Sequence, residues 1–229
     1  MSVPRLDTHA EWILAYIARG HPAPVWTYLG RRILDKQRDR DRQGRYEAIP
    51  YRFHELPKIL SKDAESAVRV TRGLYTPDDT LFQFRGARLL SAMFPTFPEN
   101  LAHELSALAA TGTDDDVAFI LQVLRAYQGQ PTTHEVVKEL VARLPEDDGR
   151  LAIAEICLQS TGVVGGEFGL VEAYRTRKAQ IETWLSDPQP KVRRFAERFT
   201  RRLEQSIAAE QRRAEGDKEM RRSRYEDPE

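Results

Sequence analysis

The chain has 229 residues, 31% of them charged and 41% hydrophobic, and its 35 basic side chains are matched by 35 acidic ones. That length can bury a large share of its unfolded surface in one domain or two, and the charge balance leaves no net field to draw the whole chain onto nucleic acid or an anionic membrane. A single cysteine, Cys157, excludes an internal disulfide, and no run approaches the roughly 18 apolar residues of a membrane-spanning helix or resembles a secretory leader, so a cytoplasmic protein with no membrane partner is expected.

Thr8 and Glu11 have the spacing of a capping box, and Trp12, Ile13, Tyr16 and Ile17 give the first helix one apolar stripe before Gly20. A second helix starts near Pro24 and carries Val25, Trp26, Leu29 and Ile33 at helical spacing. Together they predict a hairpin whose core takes both Trp12 and Trp26. From Arg31 to Arg45 seven basic residues stand against three acidic, with almost nothing apolar after Leu34. That stretch predicts a solvated helix end and a loop closing at Pro50. A short helix over 52–60 follows.

Regular punctuation then predicts helices near 63–75, 78–94, 97–110, 114–127, 133–144, 147–160 and 169–185, and a last one from 190 to about 215. Asp63 and Thr113 are candidate caps, Thr96 and Thr132 each stand three residues before a Glu, and Ser186 and Asp187 precede Pro188. Gly112, Gly129, Gly149 and Gly162 fall at or near helix ends. No stretch alternates with period two over a convincing length, so no sheet is expected.

One apolar pattern, n, n+3, n+4, n+7, returns four times. It occurs as Gly86, Leu89, Leu90, Met93; as Val117, Ile120, Leu121, Leu124; as Leu151, Ala154, Glu155, Leu158; and as Val192, Phe195, Ala196, Phe199. The intervals are 31, 34 and 41 residues, a period that predicts an all-α chain built as an α-solenoid of stacked antiparallel hairpins. Three regions follow: an N-terminal hairpin with short helix and basic loop at 1–60, helical repeats at 61–209, and a charged tail at 210–229. In that tail the apolar stripe has ended. Gly216 disfavours helix by about 1 kcal/mol, and an Asp217 to Arg221 pair returns only about 0.2–0.5 kcal/mol. The tail is expected to fray or project, either as the polar cap of the array or as an arm for a partner.

The stretch DPQPKVRRFAERFTRRL, with Asp187, Val192 and Arg193, resembles a HEAT repeat, and the hairpin ladder over roughly 63–207 is similar to HEAT or armadillo arrays. Asp63, Val68 and Arg69 match the same signature. Counting hairpins back from 190 places the helix at 63 first in its pair rather than second, and the counted register is preferred. The resemblance implies an arc of helix pairs whose concave face binds proteins or, less often, nucleic acid.

Nothing in the sequence specifies a reaction. The segment 162–169, GVVGGEFG, is neither a dinucleotide fingerprint nor a P-loop, and reads as an interhelical loop displaying Glu167 and Phe168. The five histidines make no i, i+4 pair, and His54 with Glu55 or His103 with Glu104 are neighbours whose side chains diverge on a helix. Asp114 to Asp116 and Glu146 to Asp148 read as acids at helix starts, complementing the dipole. Cys157 reads as a small buried thiol, and Trp184 as core. Neither a cofactor nor a metal is expected. The candidate interaction residues are Arg31, Arg32, Lys36 and Arg38 in the first basic segment, Lys191, Arg194, Arg198 and Arg202 in the last helix, and Glu167 with Phe168. A protein partner for a non-catalytic scaffold or adaptor is the leading expectation. The alternative is a nucleic-acid-binding module in which the segments 31–45 and 191–202 contact phosphates. A DNA-glycosylase-like enzyme, suggested only by the HEAT-like architecture of some glycosylases, is a remote third.

Overall fold

A computed structural model of the protein describes residues 8–34, 49, 53–76, 80–159 and 165–225, and every regular element among them is helical. The chain forms two compact units, Met1–Leu140 and Val141–Glu229.

The first unit holds α1 (Thr8–Ala18), α2 (Pro22–Leu34), α3 (Leu56–Leu60), α4 (Ala64–Leu74), α5 (Thr80–Met93), α6 (Glu99–Thr111), α7 (Asp114–Arg125) and most of α8 (Thr133–Arg143). Helix α1 packs on α2 and α3, α2 on α4 and α5, α3 on α5, α4 on α6, and α7 on both α5 and α6. The close α2–α4 approach depends on Gly30, where an added Cβ would collide with Leu74 Cδ1 and crowd Val70 Cγ1 at 3.3 Å. Trp26 lies fully buried against Phe94, the rings stacked at 6.1 Å. Tyr127 turns its ring edge to Phe97 at 5.0 Å and donates its hydroxyl to the Phe94 carbonyl at 2.9 Å; burial pushes its phenol well above the ordinary tyrosine range.

Capping sets the helix boundaries, in part by groups that local spacing does not identify. Asp63 caps α4 by accepting from the Ser66 amide at 3.3 Å. Thr113 and Asp116 form a reciprocal capping box at α7, and the Asp116 carboxylate also receives the Arg72 guanidinium from α4. Burial opposes ionisation of Asp116, yet the Thr113 amide, the Arg72 guanidinium and the Thr113 hydroxyl together hold its carboxyl below the usual range. The acid cluster at 114–116 therefore staples two helices besides complementing a dipole. The expected Thr96 cap is replaced by Pro98, and the Thr132 hydroxyl donates to the Phe97 carbonyl at 2.5 Å, tying two loops together.

In the second unit the end of α8 is followed by α9 (Arg150–Cys157), α10 (Gly169–Glu182), a 3-10 turn (Thr183–Ser186) and α11 (Pro190–Tyr225). Helix α11 packs along α10 and the 3-10 turn, with Phe195 between Trp184 and Phe199 at ring distances of 6.1 and 6.0 Å. Cys157 is buried and makes no disulfide. The last helix continues ten residues beyond the expected end near 215, with Ala214 buried and Arg221 paired to Glu167 at 2.5 Å. Arg221 also donates to the Asp217 backbone carbonyl at 3.2 Å rather than pairing with its carboxylate. All sixteen positions of the fourfold apolar pattern are buried, Glu155 included.

Candidate interaction surfaces

Three places bear on contact with another molecule, two of them expected from the basic segments and one not. The basic row of α11 is answered by acids and carbonyls of the same unit. Lys191 Nζ donates to the Arg143 and Leu144 carbonyls at 3.3 and 3.2 Å, a cation seated at the negative end of α8. Arg194 donates through Nε to Glu146 Oε1 at 2.8 Å, and Arg198 stands 3.8 Å from the other Glu146 oxygen. The Arg194 hydrogen bond, aided by the charges of Arg194, Arg198 and Lys191, outweighs desolvation and holds the Glu146 carboxyl below its usual range. Arg202 closes on Glu155. Burial pushes the Glu155 carboxyl up despite the opposing pull of Arg202 and Arg198, and the Arg202 pair gives this acid a partner within an otherwise apolar pattern. Exposed pairs of this kind add little to stability, but each one sets an anion beside a cation that a phosphate would otherwise meet alone.

The first basic segment is divided by burial. Arg32 is 2% exposed, with Nη1 3.4 Å from the Tyr28 hydroxyl and its guanidinium 5.9 Å from the same ring, so it is an internal cation rather than a surface one. Arg31 is exposed. With Arg69 it borders a groove of about 460 Å³ between α2 and α4, floored by Ala23, Val70 and Leu74. Lys36 and Arg38 lie outside the described residues, as do residues 160–164. Glu167 is engaged by Arg221, and Phe168 sits half-buried at the start of α10. His103 and Glu104 do approach, at 3.5 Å, on an exposed face. Among the described residues no group of three or more His, Cys, Asp or Glu is placed to hold a metal ion, and no helix is long and apolar enough to cross a membrane.

The third place was not anticipated. Helix α1 buries Glu11, Ala15 and Ala18, and turns outward the residues expected in the core: Trp12 is 57% exposed, Ile13 62%, Tyr16 77% and Ile17 40%. Trp26 takes the core position expected of both tryptophans. The face turned inward is the one that carries Glu11. Its Oε1 accepts three backbone amides at the turn into α3, from His54 at 2.5 Å, Glu55 at 2.6 Å and Leu56 at 3.2 Å, so it caps a helix 43 residues away instead of its own. A carboxylate with three amide donors is well satisfied when buried, and the small Ala15 and Ala18 allow α1 to lie close to its neighbours. The apolar side chains opposite then have nowhere to go but solvent. On the order of 500 Å² of largely apolar side chain is exposed in one stripe, the size of the largest patch on a typical monomer and often functional. The sequence signal that could have revealed it is Glu11 on the face of α1 opposite the large side chains.

No protein-family model, curated protein or solved structure matches the chain.

Proposed function

We propose that the protein is a non-catalytic helical-repeat adaptor that holds another protein. The observation that carries this reading is the outward face of α1, where Trp12, Ile13, Tyr16 and Ile17 are displayed on a helix whose own acid is committed to the interior. Contiguous exposed apolar surface rich in Trp and Tyr is the usual substrate of protein association.

A HEAT-like array over 61–209 is the architecture proposed for the scaffold. Supporting it is the pattern in which helices pack on the next but one: α2 on α4 and α4 on α6, beside α3 on α5 and α5 on α7. At the stretch that carries the resemblance, Asp187 ends the 3-10 turn and accepts the Gln189 amide at 2.9 Å just before α11, Val192 is buried after it, and Arg193 donates to the Asp187 carbonyl at 2.7 Å. The nucleic-acid alternative is weakened by the pairing of Arg194 and Arg198 with Glu146 and of Arg202 with Glu155 on α11.

Affinity purification of the tagged protein from its native cell, with and without nuclease and beside a Tyr16→Glu variant, tests the reading. A stoichiometric protein that survives nuclease and is lost from Tyr16→Glu is the expected result. Loss of everything on nuclease treatment would replace the adaptor with a nucleic-acid-binding module.

A further inference from the structure

We infer that the outward face of α1 docks an acidic amphipathic helix, its apolar side chains laid on Trp12, Ile13, Tyr16 and Ile17 and its carboxylates directed to the cationic flank at Arg19. The inference rests on the adaptor reading and adds the partner's chemistry to it.

Charge carries the argument. Between residues 8 and 34 the only acidic side chain is Glu11, and it is buried on three amides; Arg19 and Arg31 are exposed. The hairpin that displays the stripe therefore shows solvent cations and no anion. A stripe of large apolar side chains with a basic flank and no acid is complementary to a helix that is apolar on one face and acidic beside it.

Geometry agrees. The exposed positions follow i, i+1, i+4, i+5, one continuous ridge along α1, the form that fits the groove or ridge of another helix. A second copy is the poorer occupant. Two-fold pairing sets the same patch against itself, so Arg19 would meet a flank that is also cationic, with no exposed carboxylate among the described residues 8–34 to offset it. The helix is also held firmly, because Glu11 fixes its rotation from the opposite side, and a face fixed before binding loses less freedom on docking.

The test is a phage-displayed library of amphipathic helices with leucine at i, i+3, i+4 and i+7 and each polar position drawn from Glu, Lys and Ser. It is selected on the immobilised full chain and counter-selected on Tyr16→Glu. Clones enriched in Glu are expected, and a synthetic peptide from them should bind Arg19→Glu about tenfold more weakly or worse, with the melting temperatures of both variants unchanged. Enrichment of Lys or Ser in clones that still require Tyr16 overturns the acidic chemistry while leaving the adaptor reading intact. Absence of any Tyr16-dependent clone overturns the docking site, and the native-cell purification then decides the adaptor reading by itself. Two parallel measurements cover the other occupants: sedimentation of the protein alone, and flotation with phosphatidylglycerol or phosphatidylcholine vesicles. A dimer, or binding to vesicles, that is lost in Tyr16→Glu overturns the inference in favour of a second copy or a lipid surface.

Discussion

Helices α1 and α11 carry stripes of the same kind, aromatic and aliphatic side chains at helical spacing, and their fates are opposite. In α11, Val192, Phe195 and Phe199 are buried against α10 and the 3-10 turn that carries Trp184. In α1, Trp12, Ile13, Tyr16 and Ile17 face solvent while Glu11, Ala15 and Ala18 face in. Periodicity shows that a helix has two faces; what decides the buried one is which face finds partners. Helix α11 finds apolar neighbours for its stripe. Helix α1 instead turns in the face that carries Glu11, whose carboxylate accepts the His54, Glu55 and Leu56 amides, with the small Ala15 and Ala18 beside it.

The comparison breaks most visibly at Phe195. Phe195→Ala should lower unfolding free energy by about 3–5 kcal/mol in urea titration, and a variant as stable as the parent would show that the α11 stripe is not core. Glu11→Ala should cost about 1–3 kcal/mol, because three amides lose their acceptor, whereas Glu11→Gln keeps a carbonyl there and should lose less. If the alanine variant is as stable as the parent, Glu11 is not what turns α1 over.

The pH response sharpens the contrast between satisfied and strained carboxylates. Asp116, held below its usual range, contributes stability that is present above its unfolded pKa of about 3.9 and lost as pH falls through the lower folded value, so Asp116→Asn should flatten the acid limb of a stability profile. Glu155 has the opposite sign. Its contribution is full below an unfolded pKa of about 4.3 and declines as pH rises through the raised folded value, so Glu155→Gln should remove a decline on that side. Thermal melts of both variants across pH 3 to 7, against the parent, separate the two; identical profiles would contradict the assigned environments.

Smaller effects complete the series. Gly216 lies within α11 with nothing within 4 Å of an added Cβ, so Gly216→Ala should raise stability by at most about 1 kcal/mol if the extended helix is cooperative with the rest. No change in melting would mean that this end of the helix unfolds on its own. Trp12→Ala should change stability least, within about 0.5 kcal/mol, and a loss of several kcal/mol would show that the residue is core after all.

Much of the fold could be read from spacing. The helices expected at 63–75, 114–127 and 133–144 are observed as Ala64–Leu74, Asp114–Arg125 and Thr133–Arg143, because caps and glycines act within a few residues of where they stand. The candidate surface was far less legible. Arg194, Arg198 and Arg202 read as a phosphate-binding row until Glu146 and Glu155, 47 or more residues earlier, are brought against them. Arg32 reads as part of a basic segment until burial separates it from Arg31. No local rule assigns partners at that distance.

The amino-acid sequence by itself determined that this chain is helical, where most of its helices begin, and that the residues of the fourfold pattern are core, since backbone propensity, capping and apolar periodicity act over a single turn or a few. Only the tertiary structure decided which charges remain available and which way α1 faces. Those outcomes depend on which distant groups compete for a limited interior, as where Glu11 meets the amides of His54, Glu55 and Leu56 and Arg202 meets Glu155, and no local pattern encodes such pairings.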